Sequence, residues 1–250
     1  MTNSRAACGK DPDLEHRRGA YSTATGGWSY GGGQPEPMNL VEKTAKAQRT
    51  LRALLANQAV REIAGFGNDC LKTYVPDLYH YYETTQAKIA QQFPMLEPVF
   101  TNSVFAGVTF NLGPRTVTFA HRDHHNLPFG WCCVTVLGDF DHRKGGHFIL
   151  WDLKLVIQIP AGASYLIPSA ILKHSNVDIG QQETRMSITQ YSAGGLFRWV
   201  ACGMRSQAAY IRDGNRMPSG QERWDEGIAL LRRWSGYPEK PAPPLVQQGS

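Results

Sequence analysis

His121-Arg122-Asp123-His124-His125-Asn126 follows directly on Arg115-Thr116-Val117-Thr118-Phe119-Ala120, a β-branched run that reads as a strand. Side chains alternate along a strand, so His121 and Asp123, two apart, stand on one side. Two such ligands can grip one metal ion. A third candidate is His174, in Ile171-Leu172-Lys173-His174-Ser175-Asn176, which also reads as extended. Further on lies Arg185, in Glu183-Thr184-Arg185-Met186-Ser187-Ile188. A buried Arg fork suits a carboxylate ligand, because the planar guanidinium grips both oxygens at once.

Two His and one carboxylate with open positions form the facial triad of non-haem Fe(II) oxygenases. His-x-Asp alone is a weak pattern; its order before His174 and Arg185 gives it weight. The remaining coordination positions would fall to water, a 2-oxo acid and O2. His124 and His125 follow the metal pair directly. Which of them faces the metal stays open at this point, as does a rival triad through His125. His147 follows Gly145-Gly146 at a strand start. It either faces the pocket and helps hold the cosubstrate or is a half-buried structural His.

Short β-rich runs surround these residues, at 104–110, 116–121, 131–137, 147–151, 153–159, 164–167, 171–173 and 185–191. Gly, Pro, Asp or Asn bounds each one. Many short strands with turn signals predict a sandwich or jelly roll. The expected fold class is α+β: a double-stranded β-helix (jelly-roll) core with helices packed on one sheet. Residues 39–63 read as a helix, with Leu40, Ala47, Leu51, Leu54 and Leu55 near one face. Lys43, Lys46, Arg49 and Arg52 form a stripe on another face, a solvated surface or a contact for a phosphate backbone. Gly65-Phe66-Gly67 reads as a break, and 69–92 as a second helix with Pro76 as its start or a kink. Helices are also expected at 195–204 and at 219–234, the latter opened by Ser219 with Glu222 three residues on.

The ends differ in composition. Residues 1–36 are rich in Gly, Ser and Thr, and Thr25-Gly26-Gly27-Trp28-Ser29-Tyr30-Gly31-Gly32-Gly33 reads as flexible. A mobile arm there would carry Tyr21, Trp28 and Tyr30 to cover a site or stack on bases. Residues 236–250 are Pro-rich and expected to be loose. The organisation is therefore an arm, 1–36, one domain, 37–235, and a tail. Within the domain, 37–100 is helical, 103–193 is the jelly-roll core and 195–235 carries C-terminal helices.

The length of 250 residues suits one domain with extensions, and 42% hydrophobic residues suffice for a sizeable core. A formal charge of +5 and a pI near 9.0 favour an anionic partner. The five cysteines are odd in number and scattered, which speaks against a disulfide framework and a structural zinc site. The start lacks the apolar core of a signal peptide, and no apolar run is long enough for a membrane span. A soluble, intracellular protein is expected.

The segment 105–191 resembles the oxygenase domain of the TET/JBP family, the Fe(II)- and 2-oxoglutarate-dependent nucleic-acid oxygenases. It is most similar to compact fungal members associated with transposons. The matching residues are Phe105-Ala106-Gly107-Val108-Thr109, then His121, Asp123, His125 and Asn126, and later His174, Arg185, Ser187 and Tyr191. The resemblance implies that His121, Asp123 and His174 bind Fe(II) and carry the catalysis. It implies that Arg185 binds the far carboxylate of 2-oxoglutarate, that Asn126 contacts a flipped base with His125 beside it, and that Tyr191 lines the pocket. The implied partner is double-stranded DNA bearing 5-methylcytosine or N6-methyladenine, and the implied setting is a monomer in the nucleus. Animal TET proteins carry a cysteine-rich zinc-binding region and a long insert that this chain lacks. Where they have a His two residues after the pocket Tyr, this chain has Ala193. The alternative from a different class is a protein hydroxylase or demethylase on the same fold.

Overall fold

The computed structural model describes residues 15–16 and 18–231. The expected Pro-rich tail at 236–250, the end of the expected last helix at Trp234 and the first fourteen residues lie outside the described residues. β1 (Glu15–His16) and β2 (Gly19–Ala20) form a short hairpin. The larger sheet contains β3 (Ser22–Ser29), β4 (Met38–Asn39), β5 (Gly107–Leu112), β6 (Cys132–Asp139), β9 (Ser164–Ile167) and β11 (Thr184–Tyr191). Its order is β4-β3-β5-β11-β6-β9, and each pairing is antiparallel. The smaller sheet, β7 (Phe148–Leu150), β8 (Leu155–Ile157) and β10 (His174–Asn176), is ordered β10-β7-β8. The strands run two to eight residues, as the dense turn signals foretold.

The Gly-rich stretch read as flexible is a sheet strand over Ser22–Ser29, paired from Ser22↔Leu112 to Gly27↔Gly107. Its glycines serve close approach. A Cβ on Gly26 would stand 3.2 Å from Leu51, so the bare backbone lets a helix lie against the strand. Ala24 and Trp28 share that buried side. Tyr21 is buried too, and Tyr30 meets Trp199 edge-on with centroids 4.9 Å apart. These three aromatics are core and wall residues and are not carried on a free arm.

The helical region before β5 divides into α1 (Ala45–Ala56), α2 (Gln58–Tyr74) and α3 (Pro76–Gln92). The helix expected over 39–63 is thus two. Thr44 caps the first by accepting from the Ala47 N–H at 3.1 Å. Extended Asn57 ends it and caps the second by accepting from Val60 N–H at 3.3 Å. Lys43, Lys46, Arg49 and Arg52 are exposed.

Gly65-Phe66-Gly67 does not break the chain's direction; it lies inside α2. A Cβ on Gly67 would stand 2.7 Å from Cys133 Sγ and 2.8 Å from Gln190 Nε2. Gln190 also donates to the Ala64 carbonyl at 3.2 Å, tying β11 to the helix backbone. Close packing here outweighs the roughly 1 kcal/mol that Gly costs a helix. The true break is Val75, and Pro76 opens α3, where its missing N–H costs nothing. Gly67→Ala should therefore destabilise the protein by about 1–3 kcal/mol in urea unfolding, the range for overpacked cores. Phe66→Ala, at a side chain 58% exposed, should change little. Equal midpoints for Gly67→Ala and the parent would mean that α2 stands further from the sheet.

After the strands come α4 (Gly194–Ala201), α5 (Gln207–Arg212) and α6 (Gly220–Ala229). Ser219 and Glu222 close the capping box read from the sequence. α5 was not foreseen; it is six residues with no buried side chain.

Alternation gives the larger sheet two different faces. Ala24, Val108, Phe110 and Ile188 pack with Ala64 and the leucines of α1. Cys133 meets α2, while its neighbour Cys132 joins Phe148, Leu150 and Ile167 between the sheets. The α+β reading holds: helices cover one face and the small sheet the other. No described helix is long and apolar enough to cross a membrane.

Candidate active site

The run read as a strand over 116–121 is extended but is held mainly at its ends. Thr116 N–H donates to the Arg185 carbonyl at 3.0 Å, and Arg185 N–H to that of Pro114 at 2.7 Å. His121 and His174 exchange both backbone bonds, at 3.0 and 2.9 Å. Between them the Asn176 side chain accepts from Thr118 N–H at 2.9 Å and donates to the Thr116 carbonyl at 3.1 Å, beside backbone bonds from Asn176 N–H to the Thr118 carbonyl at 3.3 Å and from Phe119 N–H to the Arg18 carbonyl at 2.7 Å. The strand read at 171–173 is also shifted. Pro168 O captures the Ile171 and Leu172 N–H groups, each at 3.2 Å, so 168–172 is a turn and β10 begins at His174.

These constraints bring His121, Asp123 and His174 together, with one ligand atom from each within 4.8 Å of the others. Each imidazole is fixed from behind. His121 Nδ1 lies 2.7 Å from the Phe119 carbonyl and His174 Nδ1 2.8 Å from that of Leu172. A carbonyl only accepts, so both Nδ1 atoms carry the proton and both Nε2 lone pairs remain for a metal. Burial, and then the adjacent His174, push His121 down to about 4, which keeps its ring neutral as a ligand must be. Asp123, 7% exposed, pairs through Oδ1 with Arg18 at 2.5 Å. The donor set fits a facial triad, and the rival set through His125 is not the one that converges.

Arg185 shares a narrow cleft of about 60 Å³ with the triad, together with Arg18, Tyr21, Asn111, Tyr165 and Ser187. It is 3% exposed. Nη1 donates to the Thr116 carbonyl at 3.2 Å, while Nε has no partner among the described residues. Burial lowers its proton affinity, opposed by Tyr165 and Tyr21. No carboxylate pairs with it among the described residues. A buried guanidinium with an unsatisfied N–H is costly alone. It fits a carboxylate brought by a cosubstrate.

The other expected residues divide. His124, His125 and Asn126 line a second, larger cavity of about 600 Å³, and Asn126 Nδ2 donates to Ser169 Oγ at 3.1 Å. Tyr191 lines neither cavity. Its ring lies over Gly107, where a Cβ would approach within 3.2 Å, and its hydroxyl receives Thr109 Oγ1 at 3.5 Å. His147 lines neither cavity as well. Phe148 faces the cleft, so strand alternation turns His147 away.

With this geometry the chain matches a solved structure. Its fold is that of NgTET1. That structure, NgTET1 in complex with 5mC DNA, superposes with a TM-score of 0.52 over 74% of this chain and 64% of that one, at 17% identity. The present chain thus spans somewhat under two thirds of NgTET1 as solved. The viral collagen prolyl hydroxylase vCPH from Paramecium Bursaria Chlorella virus-1, as its 2OG complex, matches 34% of this chain and 57% of that one at 16% identity. The TM-score of that match is 0.27. No protein-family model and no curated protein matches the sequence.

On this TET-like frame the cleft contains Tyr21, read from the sequence as an aromatic of a mobile arm, and also Arg18, Asn111 and Tyr165, which the sequence did not single out. Arg18 and Tyr21 come from β1–β3, in a stretch whose composition read as an arm. Asn111 and Tyr165 sit on β5 and β9, where alternation around the quoted motifs would have pointed them inward.

Proposed function

We propose that the chain is an Fe(II)- and 2-oxoglutarate-dependent dioxygenase that oxidises methylated bases in DNA, built on a double-stranded β-helix core. One observation carries the reading: the His121–Asp123–His174 cluster shares a cleft with a buried Arg185 that lacks a carboxylate partner among the described residues. The likeness to NgTET1, solved with 5mC DNA, supports the substrate class. The His121–His174 pairing, which extends the small sheet toward 116–121, supports the jelly-roll assignment.

His121 and His174 would hold iron through Nε2 and Asp123 through a carboxylate oxygen. Arg185 would bind the far carboxylate of 2-oxoglutarate. With these bound, O2 is reduced as the 2-oxo acid becomes succinate and CO2, and one oxygen atom enters a methyl C–H bond. The residues of the chain place and exclude. The Phe119 and Leu172 carbonyls lock the two rings. Burial of Arg185 and Asp123 keeps bulk water from the carboxylate pair and strengthens it. A base stacked in a duplex cannot reach such a cleft, so it must be flipped, at a cost of a few kcal/mol. Asn126, beside His125 at the edge of the larger cavity, offers an amide that both donates and accepts toward a base edge.

The test is incubation with duplexes carrying 5-methylcytosine or N6-methyladenine, iron and 2-oxoglutarate, followed by mass analysis of nucleosides. A carbon-bound methyl should give hydroxymethyl and higher products. A nitrogen-bound one should give a hemiaminal that releases formaldehyde and the bare base. Succinate formed only with a peptide substrate would turn the reading toward a protein hydroxylase.

Asn126→Ala should keep iron binding and the slow succinate formation expected without DNA. It should lose oxidation of the methylated base by roughly tenfold to a hundredfold, since a lost pair of base-edge bonds costs about 1–3 kcal/mol. Equal loss in both assays would make Asn126 a support of the metal site through Ser169. No loss in either would remove it from the substrate site.

A further inference from the structure

The cavity of about 600 Å³ shares no lining residue with the metal cleft, yet the chain joins them directly: Asp123 lines one and His124, His125 and Asn126 line the other. The Asn126 N–H donates to the Asp123 carbonyl at 2.9 Å, so the two sites are rigidly adjacent. The walls of the larger one are flat and aromatic. Tyr81 stacks on Phe197 with centroids 5.1 Å apart and leans on Phe129 at 5.9 Å. Trp224 of α6 lines the same cavity.

Its rim is cationic. Arg198 on α4 and Arg223 on α6 line it, are exposed, and have no carboxylate partner among the described residues. Arg216 is already held by Glu222 at 2.7 Å. Glu226 is the single acid in the lining and offsets one charge. Planar apolar walls with free guanidinium groups at the edge suit a ligand that is itself planar at one end and anionic at the other.

We propose that the aromatic part of this cavity seats a nucleotide next to the target on the same DNA strand, its base on the Tyr81–Phe197–Trp224 wall and its two flanking phosphates on Arg198 and Arg223, one each. The target's methyl group must lie at the metal cleft. Asn126, bonded to the Asp123 carbonyl where the two cavities adjoin, is left to the target, and the aromatic wall, which shares no lining residue with the metal cleft, is left to a neighbour. This rests on the DNA reading above and adds to it the part of the chain that reads the flanking strand.

The experiment measures binding of a fluorescein-labelled duplex with one methylated base, by anisotropy across a range of KCl, with iron present and 2-oxoglutarate omitted. Arg198→Gln and Arg223→Gln should each lower the slope of log affinity against log salt by about 0.9, the value for one lost phosphate contact. Arg212→Gln, an exposed cation on α5 outside the cavity lining, should leave the slope unchanged. A second duplex has an abasic site beside the methylated base, on either side in turn. One position should weaken binding to the parent protein about tenfold, within the range of one lost stacking contact. Trp224→Leu, checked for an unchanged melting temperature, should shrink that difference.

Unchanged slopes for Arg198→Gln and Arg223→Gln, or an equal drop for Arg212→Gln, would overturn the proposal. So would abasic duplexes that bind like intact ones. If the protein oxidises methylated DNA in spite of such results, the dioxygenase reading stands and only the flanking site falls. If the parent protein neither binds nor oxidises DNA, both fall.

Discussion

His174→Ala should abolish turnover and leave the fold standing. The same result is expected of His121→Ala and Asp123→Ala. Each removes one of three ligand atoms that lie within 4.8 Å of one another, and no fourth His or carboxylate among the described residues completes the cluster. Loss of a metal partner even outside the ligand set costs tenfold to a hundredfold in related chemistry, so loss of a ligand should cost more than about a hundredfold. The fold survives because the backbone bonds between positions 121 and 174 do not need the imidazoles. Succinate formation, iron content and far-ultraviolet circular dichroism on the same preparations decide the matter. Near-normal succinate formation in any one variant would remove that residue from the centre. A collapsed dichroism spectrum would mean that the side chain supports the fold instead.

The second large effect is at Arg185. Arg185→Ala should raise the 2-oxoglutarate concentration for half-saturation by roughly thirtyfold to several thousandfold. Cutting one side of a buried charge-assisted pair costs about 2–5 kcal/mol. Without cosubstrate the same change should cost little stability. The guanidinium has an unpartnered Nε and burial already disfavours its charge, so its removal relieves a penalty that offsets the lost bond to Thr116 O. Melting curves give a clear signature. The parent should be stabilised by added 2-oxoglutarate and Arg185→Ala should not be. Unchanged saturation would move the carboxylate to another cation in the cleft, with Arg18 next in line.

The centre was more legible in the sequence than the scaffold that holds it. His121, Asp123, His174 and Arg185 could be read because metal and carboxylate chemistry restricts residue type, and because the TET-like pattern fixed their order. The supporting segment was misread in detail. Asn176 supplies with its side chain two of the bonds that a strand partner would have made, and no period-two pattern encodes that. Composition failed at the two glycine clusters. Gly26 and Gly67 look like flexibility and a break, but each marks a place where side chains of a facing helix or strand press on the bare backbone. Local sequence holds no trace of the partner that makes a glycine necessary. Arg18 was missed for a related reason: it reaches Asp123 from far along the chain, so no motif could contain both. Tyr191 and His147 were placed by family spacing and by strand position, and side-chain direction then took both out of the cleft.

His121 and His174 are joined by a reciprocal pair of amide bonds that involve no side-chain atom. Backbone carbonyls hold both imidazoles from behind, so an ion entering this site should find no ring to turn. The main movement left is withdrawal of Arg18 from Asp123, which is one side chain and no backbone. Loading should therefore be fast and non-cooperative with folding. The amide hydrogens of residues 121 and 174 should exchange with solvent at nearly the same slow rate whether or not the protein has been stripped by a chelator. The centre then behaves as a socket carved into the scaffold, and exposure to chelators should silence the protein reversibly without loosening it.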